Sequence, residues 1–276
     1  MPRFRRLHHY AAWLALWWLP AVGAAGADFV QASGAKAAPS GVTVERVDVT
    51  LGWATIGARS DETYTLTRNG VEYILRGDVA EGQDRYPDPR ETTRGTVEGN
   101  RRSADVSALL DAMQAKPVGR DTALGALASS AVVQAALRQG NDDPGLAGCA
   151  EATAVLARPL RDAAAIRGAL AQYYKAGWTD DGTSFEVTLR LSDGKELKAN
   201  AHAQATPALP WAVNGVETWN PAIPRALAVL LPSWSPMGQR MIAPPNGYKM
   251  LSYLLPSYQE ALGDALYHCT QARSKH

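Results

Sequence analysis

Downstream of residue 27, the side chains with catalytic potential are three histidines, two cysteines and scattered carboxylates. Nucleophilic catalysis needs a base beside the nucleophile, and the bases on offer are His202, His268 and His276. His268 adjoins Cys269, so a thiol–imidazole pair with Cys149 is conceivable on residue type alone. In an oxidising compartment, however, an even pair of cysteines reads most simply as one disulfide, Cys149–Cys269. That bond would close a loop of about 120 residues and contribute ~4–5 kcal/mol by chain entropy. Two buried free thiols are the competing reading. The Ser-x-x-Lys string Ser33 to Lys36 has no K-T-G companion, and G-x-S-x-G is absent, so neither serine-hydrolase pattern is supported.

Metal and cofactor chemistry finds no better footing. Two distant cysteines without a local histidine pair lack zinc-ligand spacing. Asp180-Asp181-Gly182 reads as a turn rather than a calcium loop. No H-E-x-x-H, Walker loop or G-x-G-x-x-G occurs. No metal, no cofactor and no catalytic residue are therefore expected. Carboxylate pairs are the remaining catalytic option, because glycoside hydrolysis works with two acids across a sugar bond. Glu62, Glu72, Glu186 and Glu217 all lie in strand-like stretches, where charged residues normally form a solvated face.

Aromatic residues point elsewhere. Trp211 and Trp219 flank an Asn-Gly turn, and Trp234 follows a helix stop in a Pro-rich stretch near Met237 and Tyr248. Trp53 and Trp178 each follow a glycine. Loop tryptophans stack on sugars or anchor protein interfaces, although many serve only as core plugs. Trp211, Trp219, Trp234 and Arg94 are the expected partner-binding residues.

The elements that would position these side chains follow from periodicity. Val42, Val44, Val47 and Val49 alternate with one slip. Tyr64, Leu66 and Arg68 lead into Asn69-Gly70, with Val71, Tyr73 and Leu75 beyond, a β-hairpin signal because both turn residues tolerate positive φ. Residues 78–102, charged and rich in Gly and Pro, read as a long surface loop. Ser103 is expected to cap a helix bearing Val106, Leu109, Leu110 and Met113, which ends before Pro117.

Residues 121–176 are Ala-rich and helical. The pattern gives one helix from Asp121 through Arg138, a second holding Cys149 and ending near Pro159, and a third over about 160–175. Alternation returns at Phe185, Val187, Leu189 and Leu191, turns at Ser192-Asp193-Gly194 and continues through Leu197, Ala199 and Ala201. A second Asn-Gly turn stands at 214–215. Asn220 and Pro221 then mark a helix start, and its Ile223, Leu227, Leu230 and Leu231 form one face. Residues 232–247 read as a Pro/Gly loop, and 248–272 as helix interrupted at Pro256. Hairpin, loop and a helix with a Leu-Leu pair occur twice, at 62–113 and 183–231, which is either a duplication or a coincidence of common motifs.

The first 27 residues read as an export signal. Arg3, Arg5 and Arg6 precede an apolar run, Ala11 to Val22, and an Ala25-Gly26-Ala27 cleavage site. The run is shorter than the roughly 20 residues that span a bilayer, so no stable membrane span is expected after cleavage. These residues hold three of the chain's 28 basic residues and none of its 27 acidic ones, leaving 25 against 27 and a formal charge of −2. That balance argues against nucleic-acid binding.

The sequence thus predicts an α+β fold: two antiparallel β-hairpin/helix units with an Ala-rich helical segment between them. Its expected divisions are a signal peptide at 1–27, a flexible tether at 28–41, a β-plus-helix unit at 42–120, the helical segment at 121–177 and a second β-plus-helix unit at 178–276. The expected setting is periplasmic or secreted. The expected role is non-catalytic: binding or inhibiting another macromolecule, as an immunity-type neutraliser of a toxin or wall-acting enzyme would. The partner would then be a secreted or periplasmic protein. The competing expectation is a carboxylate-dependent hydrolase of peptidoglycan or polysaccharide.

Overall fold

A computed structural model describes residues 41–55, 58–83, 90–141, 149–157, 162–175, 182–203, 209–245, 247–254 and 258–273. The expected signal, most of the tether, Ser33–Lys36, Asp180-Asp181, Trp178 and His276 lie outside the described residues. The class is α+β, as the sequence predicts. Its centre is one eight-stranded antiparallel sheet.

The first four strands form a meander: β1 (Val44–Thr55), β2 (Ala58–Asn69), β3 (Glu72–Gln83) and β4 (Arg90–Arg102). Four more follow after a run of helices: β5 (Thr183–Leu191), β6 (Glu196–Ala203), β7 (Trp211–Val213) and β8 (Val216–Thr218). The order across the sheet is β4-β3-β2-β1-β5-β6-β7-β8, joined at the centre by β1 and β5. The slip in the valine alternation of β1 is a bulge, with the β5 register shifting between Val44 and Arg46.

The turns follow their local chemistry. Asn214 (φ 46°) and Gly215 (φ 80°) are the two central residues between Val213 and Val216, the positive-φ pair that a two-residue hairpin favours. At the first hairpin Asn69 instead pairs with Glu72, so Gly70 (φ 64°) and Val71 are central and Gly70 alone has positive φ. Gly194 (φ 81°) closes the three-residue turn after Leu191.

Residues 78–102 are not a loop. All but 84–89 belong to β3 and β4. The hydrophobic alternation there is weak because β4 is an edge strand, with Gly95 and Gly99 opposite the buried Val79 and Leu75.

Alternation sorts the sheet into two faces. Val47, Val49, Leu51, Tyr64, Leu66, Leu75, Phe185, Val187 and Leu189 are buried on one. Arg46, Thr50, Asp61, Thr63, Arg76, Glu98, Glu186 and Lys198 are exposed on the other. Gly77 is required beneath Tyr64, because a Cβ there would collide with the phenol ring.

Helices cover the apolar face. α1 (Ser103–Gln114) contacts β1 and packs on α6 (Ala222–Leu230), which in turn meets α7 (Pro236–Ile242). Ser103 does not cap α1; it is the first helical residue, and its hydroxyl donates to the Val71 carbonyl. α6 starts one residue later than expected, with Pro221 in the N-cap position rather than N1; Asn220 still accepts from the Ala222 N–H at 3.0 Å and donates to the Ala112 carbonyl at 3.0 Å. Arg101 donates to the Leu230 carbonyl at 2.7 Å, a cation at the C-terminal end of α6.

A second helical group comprises α2 (Arg120–Ala128), α3 (Ala131–Asn141), α4 (Ala150–Ala157), α5 (Ala163–Tyr173), α8 (Gly247–Leu254) and α9 (Tyr258–Arg273). α2 packs on α5, α8 on α3 and α5, and α4 on α9. The single helix expected over 121–138 is two. Ser130 interrupts it by donating to the Leu127 carbonyl and accepting from the Val133 N–H, an alternative to the helical ladder. Asp162 caps α5 through the Ala164 and Ala165 N–H groups. Cys149 and Cys269 are disulfide-bonded.

Candidate functional site

Among the described residues Glu62 is the one buried side chain of a charged type. It is in phase with Tyr64 and Leu66 along β2, so its side chain enters the apolar face opposite Leu51 and Val79. Its exposure is 0%. A carboxylate removed from water must be met by donors, and three meet it. The Tyr64 hydroxyl donates to Oε2 at 2.7 Å, the Ser235 hydroxyl to the same oxygen at 2.5 Å, and the Met237 N–H to Oε1 at 3.0 Å. Burial first, then the hydrogen bond to Glu62 and its charge, push the Tyr64 phenol far above its ordinary value. Tyr64 is therefore a proton donor throughout the neutral range.

The same contacts fix α7. Ser235 is its N-cap, accepting from the Gly238 N–H at 2.8 Å while donating to Glu62, and Pro236 opens the first turn. Gly238 gives Ser235 its room, since a Cβ there would stand 3.0 Å from the Ser235 Oγ. The Pro/Gly loop expected over 232–247 thus contains a short helix. Its sequence signal was the Ser-Pro pair, N-cap then N1, obscured by the glycine two residues on.

This anchorage displays Trp234. The Ser235 N–H donates to the Pro232 carbonyl at 2.9 Å and the Gln239 amide to the Ser233 carbonyl at 2.7 Å. The backbone on both sides of Trp234 is therefore tied down, yet the residue is 52% exposed. On the same short segment Ile242 is exposed, and Arg240 stacks over the Trp53 ring at 4.7 Å. The exposed residues of this stretch are Ser233, Trp234, Gln239, Arg240 and Ile242, two apolar side chains beside two polar ones and a cation.

The other residues singled out from the sequence are dispersed. Trp211 is buried, with its ring 6.1 Å from that of Phe185. Trp219 is buried too, edge-on to Tyr174 at 5.5 Å and donating to Glu217 at 2.9 Å. Of the three tryptophans expected to meet a partner, only Trp234 presents substantial surface. Arg94 lies in β4 opposite Ala80, with its side chain outside the described residues.

Glu72 and Glu186 are exposed, and His202 is exposed on β6 opposite Ser184. His268 stands on α9 beside the bonded Cys269, so no cysteine–histidine couple exists between these residues. Among the described residues no three His, Cys, Asp or Glu side chains converge as a metal site, and no helix is long and apolar enough to cross a membrane.

Tyr174 offers a clean test of local packing. Its hydroxyl is buried with no hydrogen-bond partner among the described residues, and burial raises its ionisation far above the ordinary phenol value. Tyr174→Phe removes an unsatisfied polar atom while keeping the ring against Trp219. The variant is expected to match the parent or gain up to ~1 kcal/mol, read from the denaturant midpoint. A loss above ~1 kcal/mol would reveal a partner for that hydroxyl.

Compared with protein-family models, curated proteins and solved structures, this chain matches none.

Proposed function

We propose that this chain is an exported, non-catalytic protein that binds or inhibits another macromolecule of the cell envelope, and that residues 234–242 supply its main contact. The observation that carries this reading is the rigid display of Trp234 over a buried carboxylate network. Interface hot spots are enriched in Trp and Arg, and a pre-ordered loop avoids the entropy cost of ordering on binding. The export pattern of the first 27 residues and the Cys149–Cys269 bond support an oxidising setting.

An immunity-type neutraliser of a toxin or wall-acting enzyme is the partner relationship that suits such a contact. The hydrolase alternative receives less support. The buried carboxylate, Glu62, is taken up by three donors and holds a helix. The finer fold reading, two related β-plus-helix units around a helical insert, draws support from the strand order, because each four-strand meander is followed by a helix.

The test compares the parent protein and Trp234→Ala as tagged baits in the envelope fraction, with a quantified partner and a thermal melt of each. Loss of a hot-spot tryptophan is expected to weaken capture at least ~30-fold, about 2 kcal/mol. The melt should stay within ~2 °C, because a half-exposed ring contributes little to the core. Equal capture by both baits rejects this contact.

A further inference from the structure

The two edges of the sheet are built differently. β8 has three residues, and the chain beyond it is tied to the 118 region, with the Val118 N–H donating to Thr218 and the Trp219 N–H to the Val118 carbonyl. β4 has thirteen residues and, among the described residues, no strand on its outer side. Among the described residues its outward N–H and C=O groups form an open ladder, apart from the Asn100 carbonyl, which accepts from Arg101 Nη1 at 2.8 Å.

Edge strands are commonly protected by charge. The charges on β4 instead complement themselves. Two copies paired antiparallel about a two-fold axis perpendicular to the sheet keep their faces together only when residues of like parity are opposed. With the axis at Thr96, Arg94 stands opposite Glu98 of the other copy, and Glu98 opposite its Arg94. Gly95 then faces Val97, which seats the larger side chain against the smallest. Shifting the axis to Gly95 or Val97 leaves Arg94 and Glu98 opposite neutral residues. Centring it on Glu98 opposes like charges, and centring it on Arg94 sets Arg94 against itself while Glu98 meets Arg90; in the Thr96 register the like pair is Arg90 with Arg102, at the ends of the strand. Within one chain Glu98 already takes Arg76 at 3.3 Å on its β3 side.

We infer that this protein forms a two-fold dimer by antiparallel pairing of β4 with β4 of a second copy, in the register centred on Thr96, giving one continuous sheet of both chains. The pairing uses the ladder over about 93–99.

Sedimentation equilibrium and thiol trapping test it together. The parent is expected to dimerise at or below ~100 μM, as a modest interface does. Glu98→Arg opposes two arginines twice across the axis and should weaken the dimer at least ~10-fold. Arg94→Glu with Glu98→Arg exchanges the signs and should restore it. Thr96→Cys, whose new thiol is the only free one beside the Cys149–Cys269 bond, should cross-link on mild oxidation, because directly opposed strand residues lie ~4.5–5.5 Å apart, within disulfide reach. Glu98→Cys should cross-link far less, since it opposes Arg94. A parent that stays monomeric at that concentration, a dimer indifferent to Glu98→Arg, or equal trapping at positions 96 and 98 overturns the inference. Should Glu98→Arg fail to fold, the trapping comparison decides alone.

Discussion

Glu62→Ala is expected to lower stability by about 4 kcal/mol, among the largest effects of any single substitution in this chain. The magnitude comes from what is left behind. Three buried donors, the Tyr64 hydroxyl, the Ser235 hydroxyl and the Met237 N–H, lose their acceptor together. Each unsatisfied buried group costs ~1–3 kcal/mol, with some relief as hydroxyls rotate and water enters. Removing the side-chain methylenes adds a smaller cavity contribution.

The conservative variants order themselves by the same logic. Glu62→Gln keeps one acceptor oxygen but turns an amide N–H₂ toward a donor, for an expected loss of ~2–3 kcal/mol. Tyr64→Phe leaves the carboxylate two donors and is expected to cost only ~1–2 kcal/mol. Urea midpoints with a common slope read all three. Because the network anchors α7, amide exchange of residues 235–242 should accelerate in Glu62→Ala more than that of β5. If Glu62→Ala costs less than Tyr64→Phe, the carboxylate is not the hub described here.

Glu62 also shows where sequence reading falls short. Its alternation with Tyr64 and Leu66 placed it on the apolar face, but residue type argued for solvent, and only the partner at position 235 resolves the conflict. That partner is 173 residues away in sequence. Long-range contacts leave no local periodicity to read. Local chemistry was legible: the Asn214-Gly215 turn, the start of α6 to within one residue, the β1 slip that became a bulge, and the cysteine pair. The α+β class followed from those signals.

What escaped was decided by position in the sheet or by a short polar side chain. β4 looks like a loop because an edge strand with glycines opposite its neighbour's core residues has no hydrophobic stripe. Ser130 splits α2 from α3 with a hydroxyl that is indistinguishable, in sequence, from a serine facing water. Tryptophans mislead for the opposite reason. The same ring suits a core and an interface, and flanking turns do not separate Trp211 and Trp219, both buried, from Trp234.

Replacing Cys149 and Cys269 with serine, or reducing their bond, is expected to cost ~3–5 kcal/mol. The bond spans 120 residues, and a loop of that length gives close to 5 kcal/mol by chain entropy before residual structure in the unfolded chain reduces it. The loss should fall unevenly. α4 is eight residues long, too short to persist in water without packing. Its described buried side chains are limited to Ala152, with Cys149 just before it. The described part of its apolar attachment is therefore small beside the covalent link to α9. The sheet, by contrast, is secured by the long strand pairings of β1 with β2 and β5.

Reduction should therefore release protection first in α4 and α9, with β1, β2 and β5 retaining slow exchange until global unfolding. Hydrogen exchange followed by mass spectrometry, with and without reductant, measures this directly. Uniform loss across helices and sheet would show that the bond acts only through the unfolded chain. Loss confined to α4 and α9 would show that this part of the helical layer depends on an oxidising setting to stay folded against the rest.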